Sequence, residues 1–198
     1  NPTGPLHFGN ARGGPIGDVL AAVLSFSGYK VLREYLHNDI GGQVERLGEG
    51  IFNLIKGESL EEQEYKGEYV KELAQKIGQV GDAAEAGKKA VKILLSEIIS
   101  DCRKMGISFE KVYKESEFVE TGQTEKVLAL LKTKGFLREQ EGAVWFAPKD
   151  EFLKDRECVV VKSDGSYTYF ANDIAYHYLK FSENYDLVID IFGANHSG

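Results

Sequence analysis

With 198 residues and a mass of 22.0 kDa, the chain has room for one large domain or one domain carrying an insertion. Hydrophobic residues at 42% and charged residues at 28% exclude disordered and collagen-like chains. The net charge of −7 argues against a module that grips a nucleic-acid duplex by charge alone, although it leaves room for local basic patches. No apolar run nears the ~20 residues of a membrane span. No signal-peptide pattern follows Asn1. The two cysteines, Cys102 and Cys158, stand far apart, which makes a zinc site improbable and suits a reduced, cytoplasmic protein.

The chain opens in a loop, residues 1–10, with two prolines and two glycines around His7. Ile16, Val19, Leu20, Val23 and Leu24 then repeat at helical spacing, and Gly28 is placed to end that helix. Tyr29 to Tyr35 reads as a strand. Asn38-Asp39 looks like a cap for a second amphipathic helix through Ile40, Val44, Leu47, Ile51, Leu54 and Ile55. This order predicts an α/β fold with a parallel sheet and crossover helices.

From Gly57 to about Gln79 glutamates crowd the chain, which predicts a solvated helical excursion. A long helix follows from about Asp82 to Met105, with Val91, Leu94, Leu95, Ile98 and Cys102 inward. Ser108 to Tyr113 can return to the sheet as a strand. Thr121 is expected to cap a helix that Gly135 closes. Glu141-Gly142 and Ser163-Asp164-Gly165-Ser166 mark two hairpin turns. Ile174, Ala175, Tyr178 and Leu179 mark a further helix, and the apolar run Leu187 to Phe192 predicts a buried parallel strand. The expected division is a first part of the catalytic fold at 1–56, a helical and connective insertion at 57–157, and a continuation at 158–198. A strand before Asn1 and a helix after Gly198 are both expected of such a fold, so the chain reads as a fragment cut at both ends.

A loop running straight into a helix offers backbone N–H groups and the positive helix end to a phosphate. His7 can add a hydrogen bond or a charge, and Gly9 lets a base or ribose approach the backbone. The residues alone also fit a proline-rich turn with a surface histidine. The string Asn1-Pro2-Thr3-Gly4-Pro5-Leu6-His7-Phe8-Gly9-Asn10-Ala11-Arg12 resembles the "HIGH" signature of class I aminoacyl-tRNA synthetases, in its arginyl-tRNA synthetase version. The resemblance continues through Gly17-Asp18, Arg33-Glu34-Tyr35, Asn38-Asp39-Ile40-Gly41 and Gln43. It returns at Ser163-Asp164-Gly165, Tyr169, Asp173-Ile174-Ala175-Tyr176 and Gly193-Ala194-Asn195-His196. Several ordered motifs are far more specific than one short signature.

The resemblance implies a Rossmann-like class I catalytic domain that activates L-arginine with ATP and passes it to the arginine tRNA. It places His7 and Asn10 at the two signature positions that meet ATP phosphates in the transition state. Asn10 stands where the family has its second histidine, and it can donate a hydrogen bond but carry no charge. Gly4, Gly9, Gly193 and His196 join them as ATP contacts. Magnesium is expected to travel with ATP, without a dedicated metal site. The "KMSKS"-like loop, the anticodon-binding domain and the tRNA-elbow domain are expected outside these residues. The protein is expected to act as a monomer, away from membranes.

An arginine side chain is planar and always charged, so its recognition calls for carboxylates, ideally in bidentate geometry. Tyr169 and Asp173 are four apart and share a helical face. By resemblance they are the substrate tyrosine and aspartate, whereas a core aromatic and an N-cap or surface acid are the plain alternatives. Glu115 resembles a second acidic contact, with a solvated loop glutamate as its alternative. Asn1, Asn195 and His196 match contacts to arginine or ATP. Asn38 and Asp39 are explained by capping and could also face the active crevice. His37, His177 and Cys102 read as structural, and Cys158 has no base partner in sequence. Two other readings stay open: a catalytically incomplete piece that only binds arginine or ATP, and another class I synthetase or nucleotidyltransferase.

Overall fold

A short turn of helix, α1 (Phe8–Ala11), leads through Arg12 into α2 (Gly13–Phe26). In the computed structural model, residues 2–60, 63–149 and 156–193 are described, apart from the side chain of Asn10. The chain divides into two units, Asn1–Lys114 and Glu115–Gly198.

The first unit continues through β1 (Glu34–His37), α3 (Gly42–Ile55), α4 (Glu68–Ile77), α5 (Ala83–Lys104) and β2 (Lys111–Lys114). β1 and β2 pair in parallel, Glu34 opposite Lys111 and His37 opposite Lys114, so the expected crossover exists. The first strand begins later than its hydrophobic pattern suggests. Its entry is fixed by charge: the Arg33 backbone N–H donates to Glu110 Oε2 at 2.7 Å, and Arg33 Nε meets Asp18 at 3.2 Å. Both strands end together at the carboxyl edge, where open α/β sheets bind ligands.

The core of this unit lies between α3, α4 and α5. Leu47, Ile51, Val70, Leu73, Ala86, Ala90 and Leu94 are buried there. Each large aliphatic side chain contributes roughly 1.5–3 kcal/mol by leaving water. α3 and α5 approach so closely that a Cβ at Gly48 would lie 2.2 Å from the Ala83 carbonyl oxygen. Glycine there is a packing requirement. The 57–79 excursion is not wholly solvated. Its acids Glu58, Glu64, Glu68 and Glu72 are exposed, but Val70, Leu73 and Ala74 carry α4 into the core. Three apolar residues per two turns suffice to dock a helix, and the crowd of glutamates obscures them.

Other helix ends differ from expectation. Gly41, at φ 86°, is the N-cap of α3, and Asn38 instead closes a turn by accepting the Ile40 N–H at 3.0 Å. Asp82 does cap α5, accepting from the Glu85 N–H at 2.8 Å. Gly28 has the expected positive φ of 95°. The apolar face of α2 is the larger departure: Ala21 is buried, while Ile16, Val19, Val23 and Phe26 are exposed. Periodicity encodes a face but not its partner.

The second unit comprises α6 (Glu115–Glu120), α7 (Gln123–Thr133), β3 (Leu137–Gln140), β4 (Ala143–Phe146), β5 (Cys158–Val161) and α8 (Tyr169–Ser182). The three strands form an antiparallel sheet in the order β3-β4-β5. The β3–β4 hairpin turns at Glu141 and Gly142, both with positive φ, the geometry of a type I′ turn. After β5 the chain turns at residues 162–166, and the Asp164 carboxylate accepts from Ser166 N and Oγ at 2.9 and 2.6 Å. Those two donors hold the Asp164 carboxyl below its ordinary range. Tyr169 opens α8 behind the cap Thr168, which puts it and Asp173 on one helix as expected.

Two further expectations fail here. Gly122, not Thr121, caps α7, and Thr121 Oγ donates back to Glu117 O at 2.6 Å to close α6. Leu187 to Phe192 forms no strand, and Leu187, Ile189, Ile191 and Phe192 are exposed. A parallel strand exists only through its neighbours, and among the described residues none pairs with this run.

Candidate functional site

In the first unit the opening loop is fastened from far away in sequence. Pro2 and Thr3 are buried. Tyr69 Oη, from the first turn of α4, donates to the Thr3 carbonyl oxygen at 3.0 Å, and Tyr65 Oη stands 3.5 Å from Thr3 Oγ1. Burial, with Tyr65 alongside, pushes the Tyr69 phenol up to about 12, so it stays a donor at neutral pH. Gly4 faces this tyrosine, and a Cβ there would meet its hydroxyl at 3.7 Å.

His7 is exposed and caps α1, its Nδ1 accepting the Gly9 N–H at 3.2 Å. With Nδ1 accepting, a neutral ring carries its proton on Nε2. A Cβ at Gly9 would lie 3.1 Å from the imidazole and would press the ring aside by a few tenths of an ångström. Asn10 lies in α1. Asn1, Asn195 and His196 lie outside the described residues, and Gly193 is exposed at their edge.

In the second unit, Tyr169 is the first residue of α8 and is 75% exposed. Asp173, one turn later, keeps 41% of its side chain in water. Two of the plain alternatives, a core aromatic and an N-cap, do not describe these residues, and Asp173 is an acid at the surface. Tyr169 is no core aromatic, and the cap of α8 is Thr168, whose Oγ1 accepts from Ala171. His177 lies one further turn along, its Nδ1 2.8 Å from the Asp173 carbonyl and 3.6 Å from its carboxylate. His177 Nε2 faces Asp190 at 3.4 Å, and Asp190 also binds the buried ammonium of Lys180. Lys180 in turn sits 4.5 Å from the centre of the Tyr176 ring. The structural role expected for His177 thus has a definite form, a tie between α8 and residues 187–192.

Glu115 follows β2 directly and opens α6. It is not a solvated loop residue, because only 8% of it is exposed. Asn172 Nδ2 donates to Glu115 Oε1 at 2.8 Å, and Thr124 Oγ1 donates to Asn172 Oδ1 at 2.9 Å. Asn172 and Thr124 are also buried. Neither shows a motif in the sequence. The one signal for Asn172 is its place on the inner face of α8, with Ala171, Ala175 and Tyr176.

The remaining candidates are structural. Cys102 is in the core and Cys158 is half-buried, and burial raises both thiols. His37 is buried and stacks with Tyr35 at 6.4 Å between ring centres. Among the described residues no three His, Cys, Asp or Glu gather to hold a metal ion. Among them, too, no helix is long and apolar enough to cross a membrane.

The model of the class I tRNA synthetase (R) catalytic domain matches residues 49–197. A protein of Desulfosudis oleivorans named arginine–tRNA ligase is 38% identical over all of this chain and 38% of its own length. One of Aquifex aeolicus with the same name is 37% identical over all of this chain and 42% of its own. The chain thus spans about two fifths of these curated relatives. A crystal structure assigned as an arginyl-tRNA synthetase of Campylobacter jejuni superposes on the whole chain with a TM-score of 0.84 at 34% identity, covering 46% of that structure. A Plasmodium falciparum arginyl-tRNA synthetase, 22% identical with a TM-score of 0.64, shares the fold. This chain therefore belongs to the class I tRNA synthetases of the arginine type, and its fold is their Rossmann-like catalytic domain.

Proposed function

We propose that the chain is the working part of an arginine–tRNA ligase that holds arginine and ATP. The arginine carboxylate attacks the α-phosphorus of ATP and the bond to pyrophosphate breaks, giving arginyl-adenylate. The arginyl group then passes to the arginine tRNA. Asp173 pairs with the guanidinium, Tyr169 walls the pocket, and Glu115 supplies a second negative charge. His7 and Asn10 steady the triphosphate, and magnesium arrives on it as part of the substrate. Asn1, Asn195, His196 and the glycines Gly4, Gly9 and Gly193 complete the contacts to arginine and ATP. Residues 57–157 are inserted between the two parts of the catalytic fold, and the protein works as a cytoplasmic monomer.

The observation that carries this reading is on α8. An exposed tyrosine and a half-exposed aspartate stand one turn apart, neither used as core or cap, in a chain 38% identical to arginine–tRNA ligases. A pocket for an apolar amino acid would gain nothing from such an acid, because an unpaired charge is costly once the site closes. Rate enhancement comes from positioning and from donors aimed at phosphate charge, with no covalent enzyme intermediate. The test is ATP–pyrophosphate exchange by the whole synthetase, with arginine tRNA present and arginine, lysine or an apolar amino acid supplied in turn. Exchange with arginine alone is expected. Exchange with another amino acid and none with arginine rejects the assignment. The isolated 198 residues, two fifths of the relatives' length, are expected to bind without turnover.

A further inference from the structure

A carboxylate with only 8% exposure is expensive to keep charged. Glu115 is held by a one-way chain of donors: the Thr124 hydroxyl to the Asn172 amide oxygen, and the Asn172 amide nitrogen to Glu115 Oε1. The direction has a physical cause. An ionised carboxylate only accepts, so the amide N–H2 faces Glu115 and the amide oxygen is left to accept from the Thr124 hydroxyl. Each bond then polarises the next toward Glu115.

The three residues come from three elements, at the starts of α6 and α7 and in the first turns of α8. Thr124 is 0% exposed and Asn172 3% exposed, so solvent cannot replace either donor. Asn172 is also the chain neighbour of Asp173. Asn172 thus bonds the Glu115 carboxylate from the same turn of α8 that carries Tyr169 and Asp173.

We propose that Thr124 and Asn172 are positioning residues for arginine, acting through Glu115. They orient and partly neutralise its carboxylate, so that the guanidinium meets a fixed acid rather than a mobile one. This rests on the reading of Glu115 as an arginine contact. Neither residue touches substrate. Their effect belongs to arginine binding and to discrimination against lysine, whose point charge gains less from a fixed planar acid.

The experiment uses the whole synthetase in arginine-dependent ATP–pyrophosphate exchange. Thr124→Val keeps the shape and removes the donor. It is expected to raise the arginine KM about fivefold, the scale of one lost hydrogen bond between neutral groups. The ATP KM stays within about twofold, and Thr124→Ser restores the arginine KM. A fall in kcat and melting temperature with unchanged arginine KM means a structural role only and overturns the proposal. If Thr124→Val does not fold, the unsubstituted enzyme decides: with asparagine selectively labelled, arginine and not ATP shifts the Asn172 side-chain amide signal. An unmoved signal overturns the proposal. Absence of arginine-dependent exchange in the unsubstituted enzyme defeats the ligase reading itself, a result separate from either of these.

Discussion

The opening loop and the head of α8 hold their polar side chains in opposite ways. In the proposed function His7 meets a triphosphate; its ring is exposed and accepts the Gly9 N–H, while the loop beneath it is tied down by Tyr69. In the same proposal Glu115 and Asp173 select one cation among many. Glu115 is sunk among buried donors, and Asp173 stands at the rim of the same unit, one chain step from Asn172. The opening loop relies on backbone groups and a short local motif. The Glu115 cluster relies on side chains brought together from α6, α7 and α8. A charge that must be reached is fixed from behind, and a charge that must discriminate is fixed from all sides.

Substitution at the two ends separates them most widely. Asp173→Ala is expected to raise the arginine KM on the order of a hundredfold, since a charge-assisted contact to a planar cation is lost, and to leave the ATP KM nearly intact. His7→Ala should do the reverse in kind, lowering kcat about a hundredfold or more with little change in arginine KM. Steady-state exchange kinetics on both variants check the split. Equal arginine KM values in Asp173→Ala and the unsubstituted enzyme would remove this residue from the pocket.

The next effect is one of stability and lies at the α8 end alone. Lys180 is buried and its ammonium is paired with Asp190, which keeps 31% of its surface. Asp190→Asn leaves that ammonium without its counter-charge. A loss of about 2–3 kcal/mol is expected, on the lower side for a broken buried pair because Asp190 is partly solvated. Urea unfolding measures it. The His177 tie to Asp190 loosens in the same variant, whereas the Tyr69 anchor in the first unit is untouched, so the arginine KM should move and the ATP KM should not.

These two regions were also unequally legible. The opening loop is contiguous, and its prolines, glycines and histidine could be read at a glance. What holds it could not: Tyr65 and Tyr69 lie in a glutamate-rich stretch whose acids hide the apolar side that docks α4. On α8, the four-residue spacing of Tyr169 and Asp173 announced a shared face. The spacing did not reveal that Glu115 is buried, because burial comes from α7 and α8 packing over the start of α6. Strand pairing was readable where both partners lie in the chain, as for β1 with β2. It failed for residues 187–192, where hydrophobicity signals a need for neighbours without supplying them. Helix starts were misplaced at Asn38 and Thr121 for one reason. Glycines one to three residues on took the capping position, with φ values of 86° and 68° that let the chain turn in one residue.

The smallest effect sharpens the contrast from the phosphate side. Tyr69→Phe removes one hydrogen bond to the Thr3 carbonyl and should cost about 1 kcal/mol near neutral pH. The variant also changes the alkaline limb of stability. The phenol is raised to about 12 in the fold, first by burial and second by Tyr65, against about 10 in the unfolded chain. The contribution is therefore complete below pH 10 and is lost as pH rises from 10 through 12, because the unfolded state gives up its proton first. Thermal melts at pH 9 and pH 11 should converge for Tyr69→Phe and the unsubstituted protein as pH rises. A gap that stays constant across that interval would mean that the hydroxyl is solvated and that the opening loop is held by Pro2 and Thr3 packing alone.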